Sequence, residues 1–167
     1  DLANTSAGEA AYAAGRIPGA VYAHLDRDLS APKTGTNGRH PLPSAEVAAA
    51  TFGRLGIDNT TQVVAYDGEN GMYASRLWWM LRWLGHDAVA VLNGGFAKWA
   101  AEQRPVSIEA ATRGPRTFVA APRPSMLVSA ADVPAVAASA SARLIDARAP
   151  ERFRGDVEPI DPVAGHI

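Results

Sequence analysis

The chain has 167 residues, about one domain's worth of sequence. Its 16 basic and 17 acidic residues leave a net charge of −1, so no field draws it to nucleic acid or to an anionic membrane. It holds no cysteine, which excludes disulfides, thiolate metal sites, iron–sulfur clusters and a cysteine nucleophile.

The longest apolar runs, at 63–66 and 77–81, fall far short of the ~20 residues that cross a bilayer. No basic stretch followed by an apolar run opens the chain, so the expectation is no secretory signal and a cytoplasmic location. A hydrophobic content of 47% suits a globular core.

Residues 1–15 are small and polar, with weak helical character over 9–14. At 16–22 (RIPGAVY) a turn is expected to enter a short strand, because Pro18 biases Ile17 toward extended backbone. Three prolines, two glycines and scattered charges make 26–43 a long surface loop, of the kind that is usually functional or mobile. Ser44 is the expected N-cap of a helix through Val47, Ala48, Phe52 and Leu55, ended by Gly56.

Residues 62–66 (QVVAY) and 88–92 (AVAVL) are β-branched, apolar runs that read as buried parallel strands. Between them lie a loop with two glycines, 67–72 (DGENGM), and a helix over 73–84 closed by Gly85. Trp78, Trp79 and Trp83, with Leu77, Leu81 and Leu84, supply that helix's apolar faces and read as core. Another helix, over 96–102, follows Asn93-Gly94-Gly95. This alternation predicts an α/β fold, a parallel sheet flanked by helices on both faces.

The character changes at 103–125, where four prolines and four arginines interrupt any period, as in an interdomain linker. Ser129 is then expected to cap an Ala-rich helix over 129–140, with Asp132 as its capping-box partner and Pro134 in the first turn. A further strand is expected at 143–148 (RLIDAR). The predicted division is a first domain over 1–102, a linker over 103–125 and the opening of a second domain over 126–167.

Residues 14–17 (AGRI) and 164–167 (AGHI) match at an offset of 150 residues, with one difference. In the second copy a strand precedes the glycine by roughly twenty residues, a spacing that in the first copy puts the strand before Asp1. The first domain is therefore expected to lack its first strand. The helix and strand of 126–148 offer a way to fill that gap, by folding back or by exchange between chains.

Several blocks together resemble the two-domain rhodanese family, the thiosulfate and 3-mercaptopyruvate sulfurtransferases. They are 15–20 (GRIPGA), 39–44 (RHPLPS), 66–71 (YDGENG), 74–84 (ASRLWWMLRWL), 92–99 (LNGGFAKW), 144–155 (LIDARAPERFRG) and 165–167 (GHI). The resemblance implies that the first domain is non-catalytic and that the second carries a persulfide-forming cysteine, absent here. That chemistry needs a thiolate to attack sulfane sulfur and hold it as a persulfide. In the family the cysteine opens a loop whose successive N–H groups converge on an anion at a helix N-terminus. Here Asp67 stands at that position, where its carboxylate either accepts those N–H groups as an internal anion or takes a direct part in handling substrate.

By the same resemblance, Arg152 stands where the family uses an arginine to hold the anionic donor, a task for which its planar, permanently charged fork is suited. Without the motif, Arg152 reads as a surface residue of an Arg-rich chain. Arg148 stands four residues before it as a second substrate-site candidate, and reads more readily as structural, pairing with Asp146 or Glu151. Met72 and Tyr73 fall where the first domain presents an apolar and aromatic wall to the interdomain cleft, although Tyr73 reads equally as a helix-start residue packed in the core. His40 and Asp26 flank the long loop and match a possible proton relay, or else His40 is simply solvated. The four histidines lack metal-ligand spacing and Gly94-Gly95 lacks a dinucleotide fingerprint, so neither metal nor cofactor is implied.

The leading expectation is a fragment of a sulfurtransferase that moves sulfane sulfur from thiosulfate or 3-mercaptopyruvate to cyanide or a thiol. Its partners would be the small anionic donor and the remainder of the second rhodanese domain, and the chain alone is expected to be inactive. The alternative is a stand-alone, non-catalytic rhodanese-like module that binds a protein or small anion through the Asp67 loop. A reading frame that continues past Ile167 into a strand and a cysteine-bearing loop favours the first, and a stop codon there favours the second.

Overall fold

The computed structural model describes residues 4–68 and 70–166. The chain divides into two compact units, Asp1–Met126 and Leu127–Ile167. In the first unit the elements run α1 (Ala7–Ala14), α2 (Ala45–Arg54), β1 (Val63–Ala65), α3 (Ala74–Trp83), β2 (Val89–Val91) and α4 (Gly95–Ala101). A 3₁₀ turn at Pro124–Met126 closes the unit.

Strands β1 and β2 pair in parallel, with Val63 opposite Val89 and Ala65 opposite Val91. Val63, Ala65 and Val89 are buried while Val64 is exposed, the alternation that a pleated strand imposes when one face is covered. Helix α3 crosses from one strand to the other and packs on both. Its Met80, Leu81 and Trp83, with Leu84, join Ala48 and Phe52 of α2 and Leu29 of the long loop in one core; Leu77, Trp78 and Trp79 sit at its rim. The Ser44 hydroxyl accepts the Val47 N–H and so caps α2.

The short strand expected within 16–22 does not form, and Arg16 makes only an isolated antiparallel bridge with Ser107. Gly19 takes a left-handed φ of 78°, the Ala20 N–H turns back to the Ile17 carbonyl, and the Ala20 carbonyl is taken by the Tyr12 hydroxyl at 2.7 Å. Backbone groups spent on a turn and a side chain leave nothing for a ladder.

Residues 103–125, read from composition as a linker, run as an extended strap along the first unit. Phe118 is buried edge-on against Phe52, with ring centroids 5.6 Å apart. The strap's backbone bonds Gly53, Leu84 and Trp83, and Asn59 exchanges two hydrogen bonds with Val119. A Cβ on Gly53 would lie 2.4 Å from the Arg116 carbonyl oxygen, so only glycine allows this close approach.

The second unit contains α5 (Val133–Ala138) and α6 (Pro150–Arg154). Helix α5 begins at Asp132, not Ser129, whose hydroxyl instead hydrogen-bonds the Asp132 carboxylate. The strand expected at 143–148 is absent: Leu144 and Ile145 are exposed, and Asp146 accepts from both the backbone and the guanidinium of Arg148. An apolar segment without a partner strand gains nothing from extension. Among the described residues the first unit's sheet holds β1 and β2, with no strand from 126–148. No described residue of this unit is buried.

Candidate functional site

The loop between β1 and α3 wraps around its own first residue. Asp67 follows β1, and among the described residues its two oxygens accept the backbone N–H groups of Gly71 at 2.9 Å, Tyr73 at 2.9 Å and Ala74 at 3.2 Å. Gly71, with a φ of 90°, takes the left-handed conformation that brings its N–H inward. Tyr73 and Ala74 begin α3, whose first amides have no partner within the helix. The Asp67 carbonyl also accepts the Phe96 N–H of α4, which fixes the loop's base. A carboxylate here receives amide donors and the positive end of the helix dipole together. Met72 is exposed at the loop's outer edge and Tyr73 is half-buried at the helix start.

The long loop is anchored by a residue the sequence reading does not single out. Arg76, an arginine among the apolar residues of α3, donates to the carbonyls of Leu29 (2.7 Å and 2.9 Å), His40 (3.1 Å) and Pro41 (3.3 Å). A charge in the first turn, directly before the apolar run at 77–81, is the available signal. Burial pulls its pKa below the ordinary arginine value. The loop thus held brings His40 Nδ1 to 3.1 Å from Asp26 Oδ1, both groups about a quarter exposed. The contact is off the hydrogen-bond axis, so it is a close approach without a hydrogen bond. Burial lowers the His40 pKa, against the upward pull of Asp26, and favours the neutral ring.

In the second unit, Arg148 and Arg152 meet around a carboxylate that sequence reasoning also misses. Glu158, 5% exposed, accepts from Arg152 Nη2 at 2.7 Å and Nε at 3.1 Å, and lies 3.5 Å from Arg148 Nη1. The N–H groups of Ile160 and Asp161 complete its coordination. Arg148 is clamped further by Asp146 and by the Gly165 carbonyl at 2.7 Å. Arg152 reaches Asp161 Oδ2 at 2.9 Å. These donors draw the carboxyl pKa of Glu158 to about 2, chiefly through Arg152, and that of Asp146 to about 2 through Arg148. Nearby, Phe153 and His166 stack with centroids 3.9 Å apart.

Among the described residues no His, Asp and Glu cluster could hold a metal ion, and no helix is long and apolar enough to cross a membrane.

Residues 6–102 match the family model described as Rhodanese-like domain. A Pseudomonas aeruginosa protein named "Probable 3-mercaptopyruvate sulfurtransferase" is 45% identical over 168 residues, which cover 99% of this chain and 59% of that protein. The thiosulfate sulfurtransferase of Bos taurus is 38% identical over 158 residues, covering 90% of this chain and 52% of its own length. Among solved structures, 3-mercaptopyruvate sulfurtransferase from Leishmania major superposes with a TM-score of 0.81 at 29% identity, covering all of this chain and 46% of that one. SseA from Escherichia coli, a 3-mercaptopyruvate sulfotransferase with the "Rhodanese" fold, gives 0.72 at 34% identity, with 86% of this chain and 56% of that one covered. The chain thus spans about half the length of these relatives, from 46% to 59%.

Proposed function

Because the chain belongs to the rhodanese-like family, we propose that it supplies the non-catalytic first domain and the arginine-bearing opening of the second domain of a two-domain sulfurtransferase. The observation that carries this reading is Asp67, a carboxylate filling a ring of loop and helix N–H groups in a chain without cysteine. Such a ring suits a thiolate or persulfide anion, but a carboxylate oxygen cannot accept and pass on sulfane sulfur. The first domain then serves as a scaffold, with its anion site occupied by its own side chain.

In this reading Arg152 holds the oxyanion of a small sulfur donor, thiosulfate or 3-mercaptopyruvate, through its planar fork. Arg148, gripped by Asp146, Glu158 and Gly165, aligns the segment. Met72 and Tyr73 are the apolar and aromatic surface of the first domain. His40, kept neutral by burial, is able to take up a proton, and Asp26 steadies the cation that forms. Thiolate chemistry enters only from a cysteine outside this sequence.

Steady-state assays of the purified chain test the proposal. Incubation with thiosulfate and cyanide is expected to give no thiocyanate above the buffer rate, and 3-mercaptopyruvate with a thiol acceptor no pyruvate. Turnover by the pure polypeptide would refute it.

A further inference from the structure

We propose that Asp161 is an internal competitor for the oxyanion that Arg152 is placed to hold, and so sets how strongly this site captures its ligand. The inference rests on reading Arg152 as the donor-binding arginine and adds what controls it.

The guanidinium of Arg152 faces two carboxylates of unlike mobility. Glu158 is 5% exposed, is bound along the Nε and Nη2 edge, and receives two backbone N–H groups besides. It is fixed in place. Asp161 is 33% exposed and meets Nη2 at 2.9 Å. A ligand arriving from water therefore displaces Asp161 far more easily than Glu158.

Charge points the same way. Two cations, Arg148 and Arg152, face three carboxylates, Asp146, Glu158 and Asp161. Each carboxylate beside Arg152 weakens the pull of its guanidinium on a small anion. Arg148 offers no relief, because Asp146 and the Gly165 carbonyl already hold its Nε and Nη2. Removal of Asp161 leaves the pair of arginines balanced by two carboxylates and frees a donor direction on Arg152. Tethered nine residues from Arg152, Asp161 competes at high effective concentration, so it weakens capture without abolishing it. The ligand class is a small oxyanion, and the effect of Asp161 is on affinity.

The test is a titration of the 167-residue chain with sodium thiosulfate against sodium chloride of equal ionic strength, followed through the backbone amide resonances of 152–161. Asp161→Asn is expected to bind thiosulfate about tenfold more tightly than the original chain, as the release of one charge-assisted partner implies. Asp161→Glu, which keeps the charge, should bind like the original chain. Arg152→Gln should abolish the gain when combined with Asp161→Asn. The ring-current-shifted signals of His166 on Phe153 report whether the unit keeps its fold, and Asp161→Ser replaces Asp161→Asn if they move. An affinity for both neutral variants within twofold of the original chain would overturn the proposal, as would a gain that survives Arg152→Gln. If Arg152→Gln alone binds as the original chain does, the donor-arginine reading falls as well. If Arg152→Gln weakens binding and Asp161→Asn changes nothing, only the competitor role falls.

Discussion

The two units occupy their anion-binding groups with internal carboxylates, yet they are built in opposite ways. In the first, Asp67 is bound by backbone amides whose positions are fixed by β1, α3 and α4, over a core that includes Phe52, Met80, Leu81 and Leu84 with no exposed surface. In the second, Arg152 and Arg148 are bound by side-chain carboxylates, and no described residue is buried. Apolar burial holds the first set of partners in place, whereas the second holds itself together by charge. Backbone amides held by a packed scaffold keep their positions in salt, whereas contacts between charged side chains are screened by it.

The largest expected effect attacks the packed side of this contrast. Phe52→Ala removes a fully buried ring that packs edge-on against Phe118, and should cost the first unit about 3–5 kcal/mol in urea denaturation. Next comes Arg76→Ala, which strips three loop carbonyls of a charged donor. It should cost about 1.5–3 kcal/mol and speed amide exchange across 29–41, with α2 and the strands protected. Asp67→Ala leaves three N–H groups without their acceptor, so a loss of about 1–3 kcal/mol is expected, with faster exchange at Gly71, Tyr73 and Ala74.

Acid sharpens the comparison from the other side. The folded pKa values of Glu158 and Asp146 are depressed to about 2 by their arginine partners. Their contribution is therefore present above the ordinary carboxylate range and is lost as pH falls toward about 2. The His166 signals stacked on Phe153 should move to their unfolded positions over that interval, while the amide protection of α3 persists. The smallest effect is expected of Ile145→Ala. At 81% exposed, it should change stability by under about 0.5 kcal/mol by the same denaturation.

What the sequence shows of this molecule follows from the range of the signal. Ser44 capping α2 and the apolar runs of β1 and β2 are local patterns that need no knowledge of the rest of the chain. Asp67 stands out only through the family resemblance, and the structure gives the physical reason: a left-handed Gly71 and a helix start whose amides reach it. The docking of the 103–125 strap is not legible, since a Pro- and Arg-rich run has no period and its seat depends on Gly53, some sixty residues away. Strand formation within 16–22 and at 143–148 fails for a related reason: β propensity is local, but a ladder needs a partner. Glu158 escapes notice because one glutamate in an acidic stretch carries no mark of burial, and its role emerges only when α6 brings Arg152 onto it.

The central claim is that this polypeptide shapes a sulfur-transfer site without ever carrying the sulfur. Its most direct test is the intact mass of the chain after incubation with excess thiosulfate or 3-mercaptopyruvate and rapid desalting. The account predicts a mass identical to that of the untreated chain. A stable gain of one sulfur atom, reversed by cyanide with release of thiocyanate, would contradict it.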